Sequence, residues 1–151
     1  KILYMAEYSY ISEQLVTVNE NILFFITYRC CKKGYILHND NSGVFRIKGI
    51  CKNCGCKAVY KAQFQANVAV AEAADGGVLE PITIALVQNG EVLRNAIFTV
   101  TPAAIGDVWG VNVSALIELP CGCCDQITVR NISETTAINV TNTNIIFERI
   151  A

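Results

Sequence analysis

Residues 58–71 read AVYKAQFQANVAVA. Tyr60, Ala62, Phe64, Ala66, Val68 and Val70 occupy alternate positions, and Lys61, Gln63, Gln65 and Asn67 fill the gaps. A period of two belongs to a β-strand with one face in a core and the other toward water. The flanking sequence repeats the theme in shorter pieces. Leu15–Val18, Ile22–Ile26 and Val44–Lys48 come before it. Ile82–Val87, Val92 onward, Ala96–Thr101, Val111–Leu119, Gln126–Ile132 and Asn144–Ile150 come after. Asn89-Gly90 joins two of these runs, and both residues accept the positive φ that a tight hairpin demands. Asp75-Gly76-Gly77 ends any helical continuation of Val70–Ala74, and Thr101–Gly106 has room for one turn only. Eight to ten short strands, with turn signals about every 8–12 residues, predict an all-β sandwich or jelly roll.

The chain has 151 residues, which is one domain, and a fold of that size buries about 70% of the surface its unfolded chain exposes. Twelve Lys and Arg against thirteen Asp and Glu leave a formal charge of -1. That balance argues against nucleic acid, which demands a basic face. Hydrophobic residues make up 52% and charged residues 17%. The longest apolar run, Ile22 to Ile26, is five residues, against about 20 for a membrane span. We therefore expect no membrane, and burial of the apolar surplus between copies of the chain.

Residues 1–14 carry a weak pattern but many apolar and aromatic side chains: Ile2, Leu3, Tyr4, Tyr8, Tyr10 and Ile11. They are expected to form an extended arm that docks on a neighbouring subunit, with the jelly-roll domain covering 15–151. The opening residues lack the apolar core of a signal peptide, so synthesis in the cytoplasm of a host cell is expected.

The strings AVYKAQFQANVAV, ITIALVQNGEVL, VNVSALIELP, DQITVRNIS and NTNIIFERIA follow one another in a familiar order. The order resembles the trimeric jelly rolls of the tumour-necrosis-factor and C1q superfamily. In particular it is similar to small jelly-roll proteins of bacteriophages and of spore-surface collagen-like proteins of Firmicutes. The resemblance implies an antiparallel jelly-roll sandwich that forms a homotrimer through apolar faces of one sheet. It also implies a structural or binding role without catalysis, with the chain itself and capsid or fibre proteins as partners. The expected place is the virion, as capsid decoration or head fibre. A spore-surface or extracellular filament subunit is the alternative, and the absence of a Gly-X-Y repeat before the domain favours the virion. The Ile, Val and Phe residues of the second and last predicted strands are expected to line the subunit interfaces.

Eight cysteines fall into three clusters: Cys30-Cys31, Cys51-x2-Cys54-x-Cys56 and Cys121-x-Cys123-Cys124. One reading is structural zinc. Cys51-Lys52-Asn53-Cys54-Gly55 has the form of a knuckle, and Cys31 with Cys51, Cys54 and Cys56 makes a four-thiolate set, with His38 as a substitute ligand. The other reading is disulfides, within or between subunits, drawn from Cys30, Cys31, Cys121, Cys123 and Cys124. Adjacent cysteines on a strand face opposite ways, so one can bond inward and the other to a neighbour. Buried cysteines that act as small hydrophobes are the third reading. No helix follows Cys54, so a redox C-x-x-C is not expected.

Trp109, in Asp107-Val108-Trp109-Gly110, is a candidate ligand contact, because an indole can stack on a sugar. This suits a receptor- or glycan-binding fibre tip that uses the loops around Trp109 and Asp75-Gly76-Gly77. A packing anchor is the plainer reading. His38, the only histidine, reads as a strand-end or interface residue, and Asp40, Asp75, Asp107 and Asp125 read as turn residues. The sequons at Asn112, Asn131 and Asn139 read as incidental.

Overall fold

In the computed structural model the described residues are 5–30, 35–49, 57–71, 79–120, 122 and 124–151. They form eleven strands and no helix: β1 (Met5–Tyr10), β2 (Gln14–Val16), β3 (Ile26–Arg29), β4 (Ile36–His38), β5 (Phe45–Lys48), β6 (Lys57–Val70), β7 (Ile82–Gln88), β8 (Glu91–Val100), β9 (Trp109–Pro120), β10 (Cys124–Asn131) and β11 (Ile138–Arg149). Two antiparallel sheets stack face to face as a jelly roll. One runs β3-β1-β11-β6-β9, with β2 extending the β1 side of β11. The other runs β4-β5-β10-β7-β8.

The decisive stretch becomes β6, fourteen residues whose burial alternates along its length. Tyr60, Ala62, Phe64, Ala66, Val68 and Val70 all point into the core. Strand β9 pairs with it from Val68↔Trp109 to Lys57↔Pro120, and its own alternation of Val111, Val113, Ala115, Ile117 and Leu119 faces the same way. Matched pleats force this, since cross-strand partners share a face.

The core is aromatic at its centre. Phe45 stands 5.2 Å from Phe24, 4.9 Å from Phe147 and 5.0 Å from Tyr8. Phe24 meets Phe64 edge-on at 6.2 Å. These tilted and edge contacts are the arrangements that the ring quadrupole favours. Two polar ties join the sheets. The Tyr60 hydroxyl donates to the Lys48 carbonyl at 2.8 Å, and Gln88 Nε2 donates to the Glu118 carbonyl at 3.2 Å.

Buried Asn131 forms a second, polar centre. Its Nδ2 donates to the Val16 and Thr136 carbonyls at 3.2 and 2.9 Å, and its Oδ1 accepts from the Ser133 amide at 3.1 Å. Ser133 Oγ in turn accepts from the Thr83 amide. Asn131 is therefore occupied as a structural residue. The hairpin at Asn89-Gly90 has positive φ at both residues, 51° and 84°, as its sequence requires.

Three expectations change. Residues 5–10 of the supposed arm are β1, which lies between β11 and β3 in the sheet of its own subunit, with Ala6 and Tyr8 buried. The run Ile22–Ile26 is not a continuous strand: Ile22 and Phe24 are buried beside single bridges, Asn21↔Arg130 and Phe24↔Ser42, and β3 starts only at Ile26. Part of the apolar set expected at subunit interfaces instead fills this core, while Ile26, Ile146 and Ile150 stay outside it. Ile22, Phe24, Ile145 and Phe147 are fully buried inside one subunit, where their alternate positions face the core.

Candidate functional site

The two poles of the sandwich differ in chemistry. At one pole the chain ends that lead into two cysteine clusters are tied together. The Gly122 amide donates to the Gly49 carbonyl at 2.7 Å, Cys124 pairs across from Lys48, and Lys57 pairs across from Pro120. Thus 49 and 57, which bracket the cluster at 51–56, lie beside 120, 122 and 124, which bracket or belong to the third cluster. Cys30 and Cys124 are exposed free thiols. Cys31, Cys51, Cys54, Cys56, Cys121 and Cys123, and with them the zinc set and most disulfide candidates, lie outside the described residues. Among the described residues no three of His, Cys, Asp and Glu gather as metal ligands. Sequence spacing grouped the second cluster with Cys31. The juxtaposition of 49 and 57 with 120–124 depends on the β5–β10 and β6–β9 pairings, which no local spacing announces.

His38 belongs to the core rim. Its ring stacks on Phe45 at 4.5 Å and 21°, Tyr8 lies 4.8 Å away, and Nε2 donates to the Ser42 carbonyl at 2.7 Å. Nδ1 is buried and has no hydrogen-bond partner among the described residues. Burial pulls the imidazole below its ordinary pKa, against weaker upward pulls from the Ser42 bond and Asp40. His38 is a packed neutral ring. Asp107 accepts from the Ala104 amide at 3.1 Å and closes a turn, and Asp125 takes the Gln88 bond, so both act as local structure.

At the opposite pole Trp109 opens β9. It pairs with Val68 and shares the core-facing parity of Val111, yet it is 43% exposed. It therefore stands at the open end of the sandwich, next to exposed Ile105 and Val108.

Beside that pole, on the outer face of the six-stranded sheet, lies a shallow depression of about 410 Å³. Gln65, Asn67, Gly110, Asn112 and Asn142 line it, over the backbone of Ala66 and Val111. Two cross-strand pairs build it, Gln65↔Asn112 and Asn67↔Gly110. Asn142 joins from β11, where the register with β6 slips between Thr141 and Asn144 and φ turns to 52°. Asparagine tolerates that left-handed conformation better than most residues. Gly110 leaves the centre open, since nothing lies within 4 Å of where a Cβ would stand. The alternation of β6 marked its amides as outward-facing; their convergence with β9 and the β11 slip had no local signal.

No sequence family matches this chain, and no curated protein does. Solved structures match its fold. The globular domain of zebrafish complement 1qA superposes with a TM-score of 0.55 at 10% identity, over 97% of this chain and 94% of that one. Pika GITRL aligns over 100% and 98% of the two chains at 16% identity, with a TM-score of 0.47. The fold is thus a jelly roll like that of the C1q globular domain. At such identities the likeness speaks for architecture alone.

Proposed function

We propose that this chain is a non-enzymatic structural subunit that assembles as a homotrimer on a virion, as capsid decoration or head fibre. The observation that carries self-association is apolar surface left outside a complete core. On the outer face of the six-stranded sheet, toward the cysteine pole, Leu116 is 54% exposed, and Met5, Val59 and Ile146 are half-buried. Tyr28 and Ile26 add exposed area on the edge strand β3. A second copy seated there removes these side chains from water, at about 25 cal/mol per Å² of apolar area. The structural role and the virion assignment both rest on the sequence resemblance to phage jelly rolls, with which the C1q-like fold is compatible.

Light scattering on dilute protein tests association, and co-sedimentation with preformed shells tests decoration. A stable monomer that binds no shell refutes the reading. The exposed thiols of Cys30 and Cys124 favour one alternative, a spore-surface or extracellular filament joined by disulfides, which would run as a ladder on non-reducing gels. For the remaining cysteines we keep structural zinc as a proposal. The Gly49–Gly122 bond and the Lys57–Pro120 pair support it by holding together the residues that flank two clusters. Metal analysis of freshly purified protein decides: about one zinc per chain supports it, and metal-free protein opposes it.

A further inference from the structure

We propose that the amide-lined depression between β6, β9 and the β11 slip is a binding site for an uncharged glycan. Four primary carboxamides, Gln65, Asn67, Asn112 and Asn142, surround it, and none makes a side-chain hydrogen bond to another described residue. Several amides elsewhere are engaged: Gln14 holds both polar groups of Leu23, Gln88 holds Asp125, Asn131 ties Val16 to Thr136, and Asn144 donates to Glu7. Gln63, Asn95 and Gln126 also lack a side-chain bond to a described residue, and the four amides here differ from them in converging on one depression. Each carboxamide offers two N–H donors and a carbonyl acceptor on one flat group. A sugar hydroxyl is likewise donor and acceptor, so adjacent hydroxyls on a ring can pair with one amide twice. No ionised side chain lines the depression. A carboxylate, sulfate or phosphate placed there would lose part of its water without gaining a counter-charge, which disfavours acidic ligands relative to neutral ones. The volume of about 410 Å³ falls in the range of about 300–1,000 Å³ typical of small-molecule sites. Gly110 makes room at the centre, and the charged residues Lys61 and Glu148, register partners across β6 and β11, lie outside the lining.

The site is distinct from the half of the same face that carries Leu116 and Ile146, together with Lys57, Lys61, Glu118 and Glu148, so it stands or falls apart from trimer assembly. The test is a titration of the full chain with maltotriose, cellotriose and tri-N-acetylchitotriose, read from side-chain amide resonances by NMR. The expected result is a saturable shift of the Gln65, Asn67, Asn112 and Asn142 resonances with at least one of these sugars at millimolar concentration. Gly110→Val fills the open centre, and Gln65→Ala with Asn112→Ala removes one cross-strand pair. Each is expected to weaken binding about tenfold or more while leaving the melting temperature and the oligomeric state unchanged. If Gly110→Val misfolds, the double alanine variant, which alters exposed side chains only, carries the test. Four results overturn the proposal: no neutral sugar shifts these resonances, the shifts survive both variants, only acidic saccharides bind, or the variants change the oligomeric state, which would make this face a contact between copies.

Discussion

Asn131 shows what one buried amide can hold. Its side chain bridges Val16, Thr136 and Ser133, while its backbone amide donates to the Glu20 carbonyl and its own carbonyl accepts from Asn19. Asn131→Ala leaves two carbonyls and one amide without partners in a dry interior, and about 3 kcal/mol of stability should be lost, as measured by urea unfolding. Gly43 is constrained by space rather than by φ. A Cβ there would sit 2.6 Å from the Ile22 carbonyl oxygen and 2.9 Å from Asn21 Cβ. Gly43→Ala must therefore push backbone apart and should cost about 1–3 kcal/mol in the same assay. His38 sets a pH dependence. Its folded pKa lies below the ordinary 6.5, so the folded chain binds fewer protons there than the unfolded chain. Stability from this ring is intact above that value and declines as pH falls through it. The urea midpoint should drop from pH 7 toward pH 5, and His38→Phe should flatten that drop; an equal drop in the variant would contradict the assignment.

Among the strands, β1 changes the meaning of the N-terminus. It is paired on both sides, to β11 from Met5↔Glu148 to Tyr10↔Thr143 and to β3 from Glu7↔Arg29 to Ser9↔Ile26. Deleting residues 1–10 should remove cooperative unfolding as seen by circular dichroism. A deletion that still folds but no longer assembles would restore the arm. The aromatic centre is equally exacting: Phe45 touches Phe24, Phe147, Tyr8 and His38, so Phe45→Ala should cost about 3–5 kcal/mol. Strand β6 was legible residue by residue because its two faces meet different media, and burial repeats that difference every second position. Strands β1 and β4 were not. β4 has three residues, and the aromatic residues of β1 read as well on a docked arm as on a strand. The apolar run Ile22–Ile26 misled for the opposite reason: continuous hydrophobicity carries no period, so it cannot say which residues pair and which only fill space.

For the molecule as a whole, the outer face of the six-stranded sheet is divided. Leu116, Met5, Val59 and Ile146 lie toward the cysteine pole, and the free amides of Gln65, Asn67, Asn112 and Asn142 toward the other. If copies associate through the first half, Leu116→Glu with Ile146→Glu should convert the assembly to monomers by light scattering without lowering secondary structure. Retention of the oligomer would place the contact elsewhere. The candidate sites were less legible than the fold. Trp109 was visible as a lone indole, but its parity sets it at the open end of the sandwich rather than over the amide depression.

The amino-acid order alone determined the strand class, the two faces of β6 and β9 and the Asn89-Gly90 hairpin, because each follows from local periodicity or from the φ that a residue tolerates. Long-range pairing decided the rest. It brought 49 and 57 to 120–124, inserted β1 into the sheet, turned Ile22, Phe24, Ile145 and Phe147 into core and gathered four amides from three strands. Residues so distant in the chain meet only when sheets close on one another, and the register that closes them is a property of the whole packed core rather than of any segment.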